Sequence, residues 1–126
     1  MQIHESSEDY LENILILSKR LPVVRSIDIV NKMNFSKPSV SIAMKRLREE
    51  GKITMDDNGF ITLTEMGKEI AEMIYTRHQF FSDLLMKIGV DEETAVEEAC
   101  HIEHDISQDT FEKLKAWVEN TKLLED

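Results

Sequence analysis

Cys100, Glu103 and His104 lie within the run Glu98-Ala99-Cys100-His101-Ile102-Glu103-His104. Spacings of three and four residues bring these side chains to one face if the segment is helical. A thiolate, a carboxylate and an imidazole converging there make a borderline-soft site for a transition metal. Each residue also has an ordinary explanation. A lone Cys is commonly a small buried hydrophobe, and a neighbouring Glu and His are commonly a solvated face. Three further residues bear on the choice. His78 falls four residues after Ile74 and three before Phe81, on the inner stripe of a long helical pattern. Asp9 and Glu12 share a face of the first helix; a carboxylate at Asp9, three residues after Ser6, also helps satisfy first-turn amides. Asp9, Glu12, His78, Cys100, Glu103 and His104 together supply a full shell for one six-coordinate divalent ion, or for two neighbouring ions.

The elements that must position these groups read as follows. Residues 7 to 20 form a helix capped by Ser6 or Ser7, with Leu11, Ile14, Leu15 and Leu17 as its apolar stripe and Pro22 beyond its end. Residues 26 to 33 form a short helix with Ser26 as cap and Ile27, Val30 and Met33 facing inward. A tight link, Asn34-Phe35-Ser36, leads to a third helix that opens at Ser36-Lys37-Pro38-Ser39 and runs through Val40, Ala43, Met44 and Leu47 to Gly51. Ile53 and Met55, then Ile61 and Leu63, alternate with polar neighbours around Asp56-Asp57-Asn58-Gly59, a hairpin signal. From Thr64 a long helix carries Ile70, Ile74, Phe81, Leu84, Leu85 and Ile88 to Gly89. Asp91 caps a helix over roughly 92 to 106, and Ser107 starts a last one with Phe111, Leu114, Trp117 and Val118 on one face. The chain is therefore expected to be mainly α with a small β-hairpin wing. A winged helix-turn-helix DNA-binding domain would span 1–64, and a helical metal-binding and dimerisation domain 65–126. The last three helices show no obvious closed core of their own, a geometry common where helices pair with a second subunit.

The formal charge of −10 hides a polarised distribution. Residues 19 to 52 hold nine Lys/Arg against three Asp/Glu, a local +6; residues 64 to 126 hold six against sixteen, a local −10. Local charge decides whether phosphate can be approached. Double-stranded DNA is therefore the expected partner. Ser36, Lys37, Pro38, Ser39, Val40 and Ser41 at the start of the third helix would face base edges, and Lys45, Arg46 and Arg48 phosphates. No apolar run is long enough to span a membrane. The N-terminus lacks a secretory pattern, and one Cys cannot form an intrachain disulfide, so a cytoplasmic protein is expected.

Several stretches, in order over about residues 5 to 110, resemble the diphtheria toxin repressor family of metal-dependent regulators, which includes the manganese transport regulators. They are Ser7-Glu8-Asp9-Tyr10-Leu11-Glu12, Ser39-Val40-Ser41 followed by Lys45-Arg46-Leu47 and Glu50-Gly51, Leu63-Thr64 with Gly67, Arg77-His78, and Cys100 through Ser107. The resemblance implies a homodimeric repressor, activated by Fe2+ or Mn2+, that controls uptake of one of these metals. Asp9, Glu12, His78, Glu103 and His104 match the ligands of the manganese branch, which has Glu where this chain has Cys100. The iron branch has Cys there but Met in place of Asp9. The implied site is a hybrid, with Fe2+ favoured over Mn2+. An ancillary site like that of the iron branch would use His78, Asp83 and the position of Val96, and valine cannot ligate. The chain also ends where iron-branch members continue into an SH3-like domain, so the short architecture is expected. In this scheme a metal held by both ligand sets selects one placement of the reading helices.

Two other classes compete. A small hydrolase could use the metal to activate water, but six protein ligands leave little room for it. A winged-helix module could instead bind only a protein partner, its Cys and His being structural.

Overall fold

The computed structural model describes residues 3–122, with side chains from Ser7 onward. Among the described residues, six helices and one hairpin follow in the order α1 (Ile3–Arg20), α2 (Ser26–Met33), α3 (Lys37–Glu49), β1 (Ile53–Met55), β2 (Ile61–Leu63), α4 (Glu65–Lys87), α5 (Glu92–Ile102) and α6 (Gln108–Thr121). They form two compact units, Met1–Met73 and Ile74–Asp126, so α4 gives its first nine residues to one unit and the rest to the other.

In the first unit α1 starts at Ile3, upstream of the expected serine cap; the side chain of Ser6 lies outside the described residues. α2 has the expected span, but Arg25 is its cap residue, and the Asp28 carboxylate accepts the Arg25 N–H at 2.9 Å. Its inner face also differs. Ile29 is buried and Ile27 exposed, because a helix of eight residues with several apolar side chains takes its orientation from what it packs on. Asn34 adopts the left-handed conformation (φ 59°) and donates its N–H to Val30 O at 2.9 Å, turning the chain sharply into α3. Ser36 caps α3 by accepting the Ser39 N–H at 3.2 Å, and Val40, Met44 and Leu47 carry its buried stripe.

The hairpin pairs Ile53 with Leu63, Thr54 with Thr62 and Met55 with Ile61. Its loop is longer than a two-residue Asn-Gly turn. Asp56 Oδ1 accepts from the N–H groups of Asn58 and Phe60, both at 2.9 Å, and only Gly59 takes positive φ (79°). That is a turn closed by a left-handed glycine, one of the common hairpin solutions. The Ile61 N–H reaches Val24 O at 2.8 Å, and the Arg25 guanidinium lies 4.6 Å from the Phe60 ring centroid, so the hairpin is tied to the start of α2.

The base of the hairpin is clamped to the first turn of α4. Thr64 donates its N–H to Lys52 O (3.1 Å) and its hydroxyl to Gly51 O (2.7 Å), while its Oγ1 accepts the Gly67 N–H (3.2 Å). Gly67 lies so close that a Cβ on it would fall 1.9 Å from Lys52 O.

The second unit has its own core, contrary to expectation. Phe80, Phe81, Ala99, Phe111 and Val118 pack together, with Leu84, Ile102, Ile106 and Leu114 against them. The three Phe rings meet at centroid distances of 5.2 to 6.0 Å. Ile88 and Trp117, expected on inner stripes, are instead 65% and 60% exposed.

Candidate metal centre and nucleic-acid interface

α5 is started by Asp91, whose carboxylate accepts the Thr94 N–H at 3.1 Å; that bond holds its acid below the ordinary carboxylate range. The helix ends at Ile102, earlier than expected. Glu103 is its cap, still right-handed (φ −60°, ψ −21°), so it keeps the helical offset from Cys100. His104 lies just past the helix, in the turn.

Glu103 is the centre of the arrangement, and its side chain is fully buried. One carboxylate oxygen, Oε2, lies 2.9 Å from His78 Nδ1 on α4; the other, Oε1, lies 3.4 Å from His104 Nε2. Cys100 Sγ is 3.7 Å from the same His78 nitrogen, and Cys100 is exposed and in no disulfide. A buried carboxylate needs a compensating positive charge. The nearby guanidinium of Arg77 does not supply it directly, because its hydrogen bonds go elsewhere. Nη1 donates to Glu103 O (3.0 Å) and Ile106 O (2.9 Å), and Nη2 to Gln108 Oε1 (2.8 Å), with the guanidinium 5.4 Å from the Phe111 ring centroid. Arg77 thus fixes the backbone of the turn that carries Glu103 and His104. Sequence reasoning quoted Arg77 only as part of a motif. Its one clue was a charge beside His78 on an otherwise apolar stripe.

The donor set fits a divalent transition metal. Metal–ligand bonds of about 2.0–2.3 Å place two ligands of one ion roughly 3–4 Å apart. His78 Nδ1, Cys100 Sγ and a Glu103 carboxylate oxygen all lie within 4.8 Å of one another. A carboxylate offering one oxygen to each imidazole can hold one ion or link two. Asp83 is exposed and joins no group of three such donors among the described residues, and Val96 is exposed too. His101 is likewise exposed. Asp9 and Glu12 lie one turn apart on α1 of the first unit, Glu12 buried and Asp9 half-buried.

In the first unit, α2, Asn34 and α3 form the helix-turn-helix. Lys37, Pro38, Ser39, Ser41, Lys45, Arg46 and Arg48 are all exposed on α3. Val40 is not: it is 0% exposed, packed inside the unit, and cannot reach a nucleic acid. The Ser36 hydroxyl is engaged at the cap, 2.9 Å from Ser39 Oγ. Arg46 also lines a cleft of about 250 Å³ with Ser7, Glu8, Glu50 and Lys52, where Lys52 pairs with Glu50 at 3.1 Å. Sequence reasoning missed Ile42, a large apolar side chain 63% exposed among these polar groups. An isoleucine off the buried stripe was the available signal.

Known proteins show the same two parts in the same order. Residues 2–59 match the family described as "Iron dependent repressor, N-terminal DNA binding domain". Residues 64–123 match the one described as "Iron dependent repressor, metal binding and dimerisation domain". The chain is 34% identical over 120 residues to an uncharacterised HTH-type transcriptional regulator of Methanocaldococcus jannaschii, a match covering 94% of this chain and 96% of that one. It is 30% identical over 115 residues to the transcriptional regulator MntR of Escherichia coli, covering 91% of this chain and 74% of that protein. Among solved structures the manganese regulator SloR aligns with a TM-score of 0.80 and 31% identity. That match covers 90% of this chain and 53% of SloR, so the chain spans about half of SloR's length. No helix among the described residues is long and apolar enough to cross a membrane. The relatives named as transcriptional regulators are of a class that is not enzymatic. The chain belongs to the iron-dependent repressor family, the metal-dependent transcriptional regulators of the diphtheria toxin repressor type.

Proposed function

We propose that this chain is a cytoplasmic, homodimeric repressor that binds operator DNA when loaded with a divalent ion, Fe2+ ahead of Mn2+, and so controls uptake of that metal. The observation that carries the reading is the cluster of His78, Cys100 and the buried Glu103 carboxylate, braced by Arg77. His104 and, on the family resemblance, Asp9 and Glu12 are the remaining ligands in this proposal. The bound ion supplies positive charge to the buried carboxylate and, as co-repressor, favours whichever conformation it binds more tightly. The exposed cations of α3 then meet phosphates, and its first turns meet base edges. Titrating DNA binding with metal, under anaerobic conditions for Fe(II), tests the whole reading. A repressor gains DNA affinity with metal, whereas a partner-binding module with a structural Cys/His cluster does not.

The cysteine gives a sharper test. A thiolate is softer than a carboxylate and shifts preference toward Fe(II), Co(II) or Zn(II), while Asp9, a hard ligand, shifts it back toward Mn(II). Cys100→Glu is expected to lower the Mn(II) concentration needed for activation relative to Fe(II). It should also remove inactivation by peroxide, which acts on the thiolate. An unchanged ratio of activating concentrations would make Cys100 a bystander.

Salt dependence checks the phosphate contacts. Each neutralised phosphate contributes about −0.9 to the slope of log affinity against log salt. The Lys45→Ala, Arg46→Ala double variant removes two cations from each protomer of the dimer, so it should flatten that slope by about 3.6 and weaken all duplexes alike. A slope identical to the wild type would place both side chains away from DNA.

A further inference from the structure

The orientation of α3 is fixed by its buried side chains. Val40, Met44 and Leu47 face the interior, each essentially unexposed. Successive residues turn by about 100°. Ile42 therefore stands about 200° from Val40, almost diametrically opposite the buried stripe. It is 63% exposed, with Pro38, Ser39, Lys45 and Arg46, all exposed, on the same outer face. A single exposed hydrophobe is ordinary on a protein surface. Its setting here is not: it is a large apolar group between the capped N-terminus of α3, somewhat less than two turns away, and the exposed cations Lys45 and Arg46 one turn further on. Such a face suits a polyanion and is poorly suited to an apolar protein patch. The major groove of DNA offers an apolar counterpart among its polar edges, the C5-methyl group of thymine.

We propose that Ile42 packs on a thymine C5-methyl in each half-site, making thymine at that position a specificity determinant of the operator. This inference rests on the DNA-binding reading above and adds which base chemistry α3 selects. The neighbouring cations hold the helix on the backbone without distinguishing sequence. Ile42 supplies discrimination by shape and apolar contact, and its outward placement leaves the fold indifferent to its identity.

The full-length protein, loaded with Mn(II) or anaerobically with Fe(II), is used to select the tightest duplexes from a randomised library. Each thymine of the selected duplex is then replaced in turn by deoxyuridine, which removes the methyl group and leaves the pairing edge intact. At one thymine per half-site, the wild type should lose about four-fold in affinity, the amount expected for one buried methyl group. Ile42→Ala should bind the parent duplex more weakly and be indifferent to that replacement, and Ile42→Val should keep part of the response. All three proteins should melt at the same temperature, since residue 42 is exposed. If Ile42→Ala responds to every deoxyuridine as the wild type does, or if no thymine position matters, the Ile42 contact is wrong while DNA binding stands. If no duplex is selected with either metal, the DNA-binding reading falls and takes this inference with it.

Discussion

Glu103→Gln should separate metal binding from folding stability, removing the first and leaving the second close to that of the wild type. The substitution keeps the size of the side chain and removes its charge. Glu103 is fully buried between His78 and His104, and the adjacent guanidinium bonds its main-chain carbonyl and not its carboxylate. Deleting an outer-shell partner of a metal site commonly costs 10–100-fold in affinity. Deleting a central ligand should exceed that, so affinity for Mn(II) or Co(II), measured by calorimetry, is expected to fall by more than about 100-fold. Metal-activated DNA binding should be lost with it. Without metal, the amide keeps the size and most of the hydrogen-bonding capacity of the carboxylate beside His78 and His104, so the metal-free variant should melt close to the wild type. Ordinary metal affinity in Glu103→Gln would remove the carboxylate from the site. A large fall in metal-free melting temperature would instead make Glu103 a structural residue.

The second large effect is expected at Gly67→Ala, on folding itself. In an unobstructed helix, alanine is the better residue by about 0.5–1 kcal/mol. Here the added carbon would lie 1.9 Å from Lys52 O, a backbone atom held by its hydrogen bond from Thr64 N. Neither side can yield without separating the hairpin base from α4. Steric overpacking of this kind costs about 1–3 kcal/mol, occasionally more. In a unit of this size that lowers the melting temperature by roughly 10 °C or more. The exposed Glu72→Ala on the same helix is the control and should melt close to the wild type. If Gly67→Ala also melts within about 2 °C of wild type, the close approach does not exist in solution.

How far the sequence discloses these features depends on whether the signal is local. α3 was legible because its cap, its proline and its buried stripe all lie within thirteen residues and agree. The hairpin was legible for the same reason, while its loop form was not, since the Asp56 carboxylate decides it by binding two amides. α2 was read with the wrong face because eight residues carry too few turns for periodicity to choose between Ile27 and Ile29. Ile88 and Trp117 continue an apolar spacing that nothing inside their unit covers. At the candidate centre, His78, Cys100 and Glu103 were picked out by type and spacing, and the structure brings them together. The end of α5 before His104 and the burial of Arg77 were not legible. Both follow from tertiary hydrogen bonding, and a charged side chain is ordinarily expected at the surface.

Arg77 reaches the turn through two main-chain carbonyls, those of Glu103 and Ile106, with a third bond to the Gln108 side chain. Carbonyls are present whatever residues carry them, so the brace does not depend on the chemistry of the side chains it positions. Substitution at 100 can therefore exchange sulfur for oxygen without redesigning the scaffold.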